Sequence, residues 1–234
     1  MKKIIFPLIF LLFANFGQAQ VNFGARIGMN LGIFDLKNYN HDITEDYDVS
    51  QSLSVLIKMD VDVPFSTVFS FRSGLGLVIK GSEIDRIPTM QHRDTVWSIL
   101  YRMNYLEVPL FIVARAETDL FGNFFFGVGP TLSLGVGGRM ELFAEHRTNH
   151  GQSQTTYDLV WGNKPAPSEA LHGYNHFRRF DLGLGAMFSY QLPRSGLAFT
   201  ASYNRGLRNI SPNPDIDLKT SYFGFSIGFI MGGV

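Results

Sequence analysis

Long segments of alternating hydrophobicity, joined alternately by short turns and long polar loops, predict an all-β chain that folds into an eight-stranded antiparallel up-and-down transmembrane β-barrel. A hydrophobic period of two places the apolar side chains of each segment on one face of a strand. Each segment is also longer than the roughly 5–6 residues of an average strand in a soluble sheet. A soluble β-sandwich or lipocalin-like barrel alternates as well, but it would fill its interior with apolar side chains.

The predicted strands follow one another along most of the chain. They cover residues 21–34, 50–63, 67–80, 100–116, 122–142, 177–192, 195–207 and 219–232. In the first strand, Phe23, Ile27 and Leu31 share one face. Gly24 and Arg26 lie on the opposite face. The third and sixth strands divide in the same way, with Phe and Leu on one face and mainly Gly, Ser and charged residues on the other.

The connections between the predicted strands alternate in length. Short turns follow the second, fourth and sixth strands, whereas long polar loops cover residues 35–49, 81–99, 143–176 and 208–218. With an even number of strands, this arrangement places both termini on the periplasmic side and the long loops outside the cell. Residues 140–161 contain a further hairpin pattern, which either extends strands five and six above the membrane or yields a ten-stranded barrel.

The composition excludes several classes of protein. The 234 residues are 45% hydrophobic and 17% charged, which is too apolar for a disordered chain. Lys and Arg together number 20 and balance 20 Asp and Glu residues, so there is no basic excess for general nucleic-acid binding. The sequence has no cysteine, which excludes disulfide scaffolds, zinc fingers and iron–sulfur centres.

The N-terminus has the three parts of a secretory signal peptide. Lys2 and Lys3 carry positive charge, residues 4–13 form an apolar run, and small residues precede a cleavage point after Ala19. The apolar run is too short to cross a bilayer as a helix, for which about 20 residues are needed. We therefore expect a signal peptide at residues 1–19 and an outer-membrane β-barrel domain at residues 20–234.

The inward face of the predicted strands is rich in glycine and carries isolated charges. These ions are Arg26, Lys58, Asp60, Arg72, Lys80, Glu107, Arg115 and Asp181. Buried charges need partners, and an eight-stranded barrel is just wide enough for side chains to fill it. We expect a structural ion network that plugs the lumen, with a conducting pore as the weaker interpretation. Glu107 can pair with Arg26, Arg72 or Arg115 across the lumen, and Pro109 is expected to mark a β-bulge or an edge of the sheet.

Aromatic residues cluster near both ends of the predicted strands, as in the interfacial girdles of outer-membrane barrels. The periplasmic rim would carry Phe23, Phe124, Tyr190, Phe199 and Phe229, and the outer rim would carry Phe34, Phe180, Tyr203 and Phe223. The general preference of aromatic residues for strands is the alternative explanation.

Four motifs resemble a known family. Residues 104–111, with the sequence NYLEVPLF, resemble the fourth strand of the PorT-like outer-membrane β-barrel proteins of Bacteroidota, and residues 24–30, 126–130 and 202–210 are similar to other strands of that family. The resemblance implies a small monomeric barrel in a Gram-negative outer membrane, without catalytic residues or cofactors. Some members of the family are tied to a Bacteroidota secretion system. Such barrels usually end on an aromatic residue, and here Phe229 is expected to act as the insertion signal.

Candidate chemistry is confined to the predicted outer loops. A candidate metal site consists of His146, His150, His172 and His176, which flank the longest loop in two pairs of equal spacing. Solvated histidines are the alternative. A lipid-modifying enzyme is a rival function, with a nucleophile drawn from Ser82, Ser98 and Ser168. No G-x-S-x-G context surrounds these serines, so we expect no enzyme.

The expected partners follow from the predicted location. Outer-membrane lipid and lipopolysaccharide surround the barrel, the barrel-assembly machinery inserts it, and no nucleic acid binds. An envelope protein is a further candidate partner, because aromatic side chains dominate interface hot spots. The loop aromatics are Tyr39, Tyr47, Trp97, Tyr157, Trp161 and Tyr174. The predicted function is a structural, binding or assembly role, and the alternatives are a lipid-modifying enzyme and an accessory component of a secretion system.

Overall fold

The computed structural model describes residues 21–38, 48–85, 95–118, 122–146, 152–164 and 175–231. The strands are β1 (Asn22–Asn38), β2 (Asp48–Pro64), β3 (Phe69–Asp85), β4 (Thr95–Thr118), β5 (Gly122–His146), β6 (Gln152–Asp158), β7 (Val160–Trp161), β8 (His176–Phe177), β9 (Phe180–Gln191), β10 (Leu197–Gly206) and β11 (Ile216–Met231). Among the described residues, no helix is long and apolar enough to cross a membrane. The predicted signal peptide, residues 1–19, lies outside the described part of the chain.

Eight of the strands form a closed antiparallel ring. Its order is β1, β2, β3, β4, β5, β9, β10 and β11, and β11 returns to pair with β1. The closing pair keeps one register from Phe23 opposite Met231 to Asn38 opposite Ile216. Closure leaves no unpaired edge in the ring, which a strand in contact with lipid requires. The predicted eight-stranded antiparallel barrel is therefore confirmed.

The long connection between the fifth and sixth ring strands begins with a hairpin. β5 pairs with β9 as far as Leu134, and its segment from Arg139 to Glu145 pairs with β6 instead. β4 accompanies β5 over the same height, so both strands are longer than predicted. The hairpin rises beyond the ring, and the ten-stranded alternative is wrong, because in the described part of the chain β6 pairs with β5 alone and the ring closes with eight strands. Beside it, β7 and β8 form a two-stranded parallel sheet.

The outward face of the ring is apolar on all eight strands. Exposed apolar side chains, one from each ring strand, are Met29, Met59, Leu75, Ile112, Val128, Leu184, Phe199 and Phe225. A soluble protein rarely exposes contiguous apolar patches larger than a few hundred Å². Most of the predicted rim aromatics belong to this belt. Phe34 does not: it is 4% exposed, because its position in β1 faces inward.

The ring has two different ends. At the end that we call the long-loop end lie residues 152–164, 175–179 and 207–215, beside the strand ends Asn38, Asp48, Asp85 and Thr95, and at the short-turn end lie the turns 65–68 and 192–196. The interior of the long-loop end holds a buried apolar cluster that includes Phe34, Ile99, Tyr101, Met140, Phe177 and Ile210. A smaller cluster of Phe111, Val113, Phe125 and Met187 lies toward the short-turn end. The expectation of a glycine-rich and charged inner face is therefore wrong at the long-loop end, where large apolar side chains fill the interior, and apolar side chains form part of the inner face toward the short-turn end.

The ladder between β4 and β5 is irregular at a position that the sequence did not predict. The register shifts between Asn104 and Tyr105, where Val136 of β5 has no partner. Pro109 instead lies opposite Thr131 in regular register. The predicted bulge at Pro109 is wrong. Val136 lies between two glycines, and a bulge forms more easily there because few side-chain contacts are lost.

Candidate functional site in the lumen

The centre of the lumen is a buried carboxylate on β4. Glu107 Oε1 accepts hydrogen bonds from Lys58 Nζ at 2.7 Å and from the Tyr222 hydroxyl at 2.6 Å. Glu107 Oε2 lies 3.5 Å from Lys80 Nζ and accepts a bond from the Ser133 hydroxyl at 3.3 Å. Both carboxylate oxygens are thereby occupied, which a buried ion requires.

A second carboxylate completes the network from the other side of the lumen. Asp181 Oδ2 on β9 lies 3.0 Å from Lys80 Nζ and accepts a bond from the Thr220 hydroxyl at 2.9 Å. The Lys80 ammonium also donates to the Ser133 hydroxyl at 3.1 Å and lies 4.8 Å from the centre of the Tyr105 ring. Two ammonium groups therefore meet two carboxylates, and the charges of the network balance.

The network joins strands that are distant in sequence. Its members come from β2, β3, β4, β5, β9 and β11, which are six of the eight ring strands. Each contact reaches across the lumen or around its wall, because inward side chains of a narrow barrel converge on its axis. The network therefore links the six strands to one another through their side chains. It also fills the cross-section of the lumen with polar groups that are already paired.

Small inward residues make room for the long cations. A β-carbon added at Gly76 on β3 would lie 2.7 Å from Cγ of Lys58. The stem of Lys58 therefore runs directly over the backbone of its neighbouring strand. The glycine-rich inner face that the sequence shows is thus a space requirement of the charged side chains in the middle of the barrel.

Two further ion pairs lie toward the short-turn end. Arg26 Nε is 2.9 Å from an Asp60 carboxylate oxygen. Arg72 Nε donates to Asp62 Oδ1 at 3.1 Å, and Ser70 donates to the same oxygen at 2.8 Å. All five residues are wholly or largely buried. The lumen therefore carries paired charge from its middle to its short-turn end.

The structure changes the partners expected from the sequence. Glu107 pairs with Lys58 and Lys80, so the expectation of an arginine partner is wrong. Arg26 and Arg72 lie closer to the short-turn end, where each pairs with an aspartate of β2. Arg115 lies near the short-turn end of β4, where it is partly exposed. Sequence reasoning placed Glu107 on the inward face but had no measure of height along the axis.

Sequence reasoning missed Asp62, toward the short-turn end, and Tyr222, at the centre of the network. Asp62 has the same inward parity as Lys58 and Asp60, so continuing the alternation of β2 would have found it. Tyr222 is inward in β11 and donates to the central carboxylate, but an inward tyrosine looks like any other strand aromatic. Only its hydroxyl contact reveals its part in the network.

Described parts of two connections fold into the interior of the long-loop end. Ile210 of the β10–β11 connection is fully buried in the apolar cluster, together with Phe177 and Leu159. Asn209 holds this connection in place: its side chain donates to the Ile216 carbonyl at 2.8 Å and accepts from the backbone N–H groups of Ser211 and Leu218. The connection therefore folds inward over the ring.

Two of the aromatics predicted to dock a partner belong to this closure. Tyr157 and Trp161 pack against the apolar cluster, and the Trp161 ring lies edge-on to Tyr105 at 5.5 Å between centroids. Gly135 faces the same indole, since a β-carbon there would come within 2.4 Å of it. These two aromatics are structural. Tyr39, Tyr47 and Tyr174 lie outside the described residues, as does the side chain of Trp97.

The candidate metal and enzyme residues are placed only in part. His150 and His172 lie outside the described residues, as does the side chain of His146, and His176 is partly exposed in β8. Among the described residues, no cluster of three or more metal-ligating side chains forms. Ser82 is buried and donates to the Ser50 carbonyl at 2.7 Å, which is unsuited to a nucleophile at the rim. Ser98 is partly exposed in β4, and Ser168 lies outside the described part of the chain.

Comparison with known proteins agrees with the geometry. A family model described as an outer membrane protein beta-barrel domain matches residues 14–211. A comparison with curated proteins finds no sequence match.

Solved structures with a similar fold include small outer-membrane barrels. Ail of Yersinia pestis, crystallised with a heparin analogue, is 10% identical, with a TM-score of 0.41 over 91% of this chain and 99% of that one. OprG from Pseudomonas aeruginosa is 9% identical, with a TM-score of 0.39 over 93% and 99%. The outer membrane protease OmpT from Escherichia coli is 8% identical, with a TM-score of 0.38 over 92% and 97%. Likeness at such identity concerns the fold alone.

Proposed function

The chain belongs to the outer-membrane β-barrel family, and on that premise we propose that it is a monomeric structural barrel with a plugged polar lumen and a binding or assembly role at its long-loop end. Its location is the cell outer membrane. Lipid and lipopolysaccharide surround the apolar belt there. In this proposal, residues 1–19 are the signal peptide and the barrel-assembly machinery inserts residues 20–234.

The plug rests on one observation, the buried network around Glu107. Lys58, Lys80 and Asp181 approach from three other strands and leave the central carboxylate fully buried. To pass through the barrel at the height of Glu107, an ion would have to separate these buried ammonium and carboxylate groups. Leaving one buried charge unpaired costs several kcal/mol. The apolar cluster at the long-loop end adds a second layer, because Ile210 and Phe177 fill the mouth of the ring.

A non-catalytic role fits the placement of the polar groups. The buried carboxylates are held by cations and hydroxyls inside the barrel, and Ser82 is bonded to backbone. Catalysis on lipid needs a nucleophile and a base that the substrate can reach from the membrane. The connections at the long-loop end are then the part of the molecule available to an envelope partner.

Within the family, we assign the chain to the PorT-like proteins of Bacteroidota on the strength of residues 104–111. Tyr105, Glu107 and Pro109 of this motif all face inward, and Glu107 is the centre of the ion network. The motif therefore has a structural purpose in this barrel. An accessory component of a secretion system is the alternative function, in which the long-loop end of the same barrel would contact the partner protein.

Conductance across a planar lipid bilayer tests the plug. The purified full chain, once inserted, is expected to give no stepwise current under an applied voltage. A variant with Lys58→Ala, Lys80→Ala, Glu107→Ala and Asp181→Ala should conduct if it folds, which the shift in gel mobility on boiling reports. Asp217→Ala with Lys219→Ala is the matched control, because this pair lies near the rim. Regular current steps from the unaltered protein would contradict the plug.

A further inference from the structure

The outward wall formed by β9, β10 and β11 is grooved. Two shallow apolar grooves of about 520 and 530 Å³ cross it, and both include Phe188 and Ala201. The first groove continues over β5 and β4, and the second continues over β11 onto β1. The grooves therefore meet at one point on β10 and form a continuous apolar track along the wall.

Ala201 is a gap in a wall of aromatic rings. Its cross-strand neighbours are Phe188 on β9 and Phe225 on β11. The adjacent outward positions of its own strand are Phe199 and Tyr203, both exposed. A single methyl group surrounded by four rings leaves a notch about one side chain deep. A flexible methylene chain fits such a notch, because it gains dispersion contacts with every ring around it.

Exposed arginines lie above this notch, at the long-loop end of the same wall. Arg205 occupies the next outward position of β10 after Tyr203, and 63% of its side chain is exposed. Its contact with Asp35, at 3.8 Å, is too long for a hydrogen bond. Arg208 is also exposed and lies over the ring of Phe180 at 5.3 Å. Both guanidinium groups therefore retain donors for an anion in the headgroup region.

At the long-loop ends of β9, β10, β11 and β1, the described side chains that are not fully buried carry more positive than negative charge. The basic ones are Lys37, Arg178, Arg179, Arg205, Arg208 and Lys219, and the acidic ones are Asp35, Asp215 and Asp217. Lys219 is paired with Asp217 at 3.1 Å, so the excess positive charge lies mainly on the arginines of β10 and of the connections beside it. An excess of guanidinium groups at a membrane rim is complementary to phosphate, which arginine binds through two parallel hydrogen bonds.

We propose that this face is a binding site for one molecule of the phosphorylated, multiply acylated glycolipid of the outer leaflet, lipid A. Its phosphate groups contact Arg205 and Arg208, and one acyl chain lies in the groove over Ala201. A lipid that carries phosphate and acyl chains fits the order of groups along the wall, because the arginines lie at the long-loop end and the apolar groove lies closer to the middle of the membrane. The site rests on the proposed outward orientation of the long-loop end, and it does not depend on the plugged lumen.

Lipid binding to the refolded full chain in zwitterionic detergent tests this site. Native mass spectrometry counts the lipid A molecules retained, and a titration with purified lipid A gives an apparent Kd. Phosphatidylglycerol is titrated in parallel, because it offers phosphate and acyl chains without the glycolipid scaffold. The variants are Arg205→Gln with Arg208→Gln for the headgroup, and Ala201→Phe for the acyl notch.

Two matched controls carry the same changes elsewhere. Arg139→Gln with Lys164→Gln removes two charges from other exposed positions, and Ala116→Phe adds a ring at an exposed position outside both grooves. The unaltered chain is expected to retain one lipid A. Arg205→Gln with Arg208→Gln should raise the apparent Kd for lipid A about tenfold or more, because the charge-assisted hydrogen bonds to phosphate are lost. Ala201→Phe should also weaken binding severalfold, and the controls should not.

Three results would overturn the site. The first is an unchanged Kd in Ala201→Phe, which would mean that no acyl chain lies in the groove. The second is an equal loss of lipid A affinity in the control variants, which would mean that the binding does not depend on this particular site. The third is phosphatidylglycerol binding as tight as that of lipid A. The shift in gel mobility on boiling verifies that each variant is folded. The bilayer conductance of these variants is measured as well, and if it is unchanged, a loss of lipid A binding says nothing against the plugged lumen.

Discussion

Replacing Glu107 by glutamine should destabilise the barrel by about 3–5 kcal/mol, because it leaves a buried ammonium without its carboxylate. In the native protein, Lys58 Nζ is 2.7 Å from Glu107 Oε1, and the two side chains are 7% and 0% exposed. Lys80 keeps Asp181 at 3.0 Å and is affected less. The substitution preserves shape, so the loss arises from charge and not from packing.

The measurement is guanidinium-induced unfolding of the refolded protein in detergent micelles. Tryptophan fluorescence follows the transition, since Trp161 packs against Tyr105 in the folded barrel. Glu141→Gln is the matched control. Glu141 also meets two arginines, at 3.0 and 2.8 Å, but their side chains are 37% and 53% exposed. Solvent screens such pairs, so we expect a loss of about 1 kcal/mol or less.

A second variant separates an unpaired charge from a lost contact. Adding Lys58→Met to Glu107→Gln removes both ions, and most of the stability should return, since an apolar side chain of similar volume replaces the buried cation. A single Glu107→Gln variant as stable as the native protein would refute the argument. So would a double variant that loses the sum of the two single changes, because the residues would then not be coupled.

Three smaller changes test other parts of the barrel. Gly76→Val should cost about 1–3 kcal/mol in the same unfolding assay, because its side chain displaces the Lys58 stem, whereas Gly162→Val, with open space around it, should cost little. Phe34→Ala should cost about 3–5 kcal/mol by leaving a cavity in the apolar cluster. A loss below 1 kcal/mol would place Phe34 on the lipid side after all. Asn209→Ala frees the β10–β11 connection, so trypsin should cleave after Arg208 faster than in the native protein, and an unchanged cleavage rate would contradict the clamp.

The strand pattern was predictable because the two faces of each strand meet different surroundings. Outward positions contact lipid and exclude charge, so the alternation of β1 appears directly in the sequence. Boundaries were less accurate at β4 and β5, which continue as far as Thr95 and His146. Above the membrane the lipid no longer imposes alternation, and the pattern that defined the strands weakens.

The girdle residue Phe34 and the bulge at Pro109 were predicted wrongly for the same reason. Both predictions relied on residue type. An aromatic side chain suits a rim and a buried cluster equally, and proline is compatible with a ladder wherever its missing N–H has no partner to lose. Position in the tertiary structure decided both: Phe34 faces inward, and the register shift lies at Asn104 and Tyr105.

The amino-acid sequence by itself determined the β-barrel class and which charges face inward, since these follow from a period of two repeated against lipid. It left eight and ten ring strands open, and the pairing of β6 with β5 decided for eight. Only the tertiary structure decided which ion meets which. Lys58 and Tyr222 are 164 residues apart and become neighbours through Glu107 because the stagger of the ring brings β2, β4 and β11 to one height. That stagger is a property of the closed sheet, which no single strand encodes.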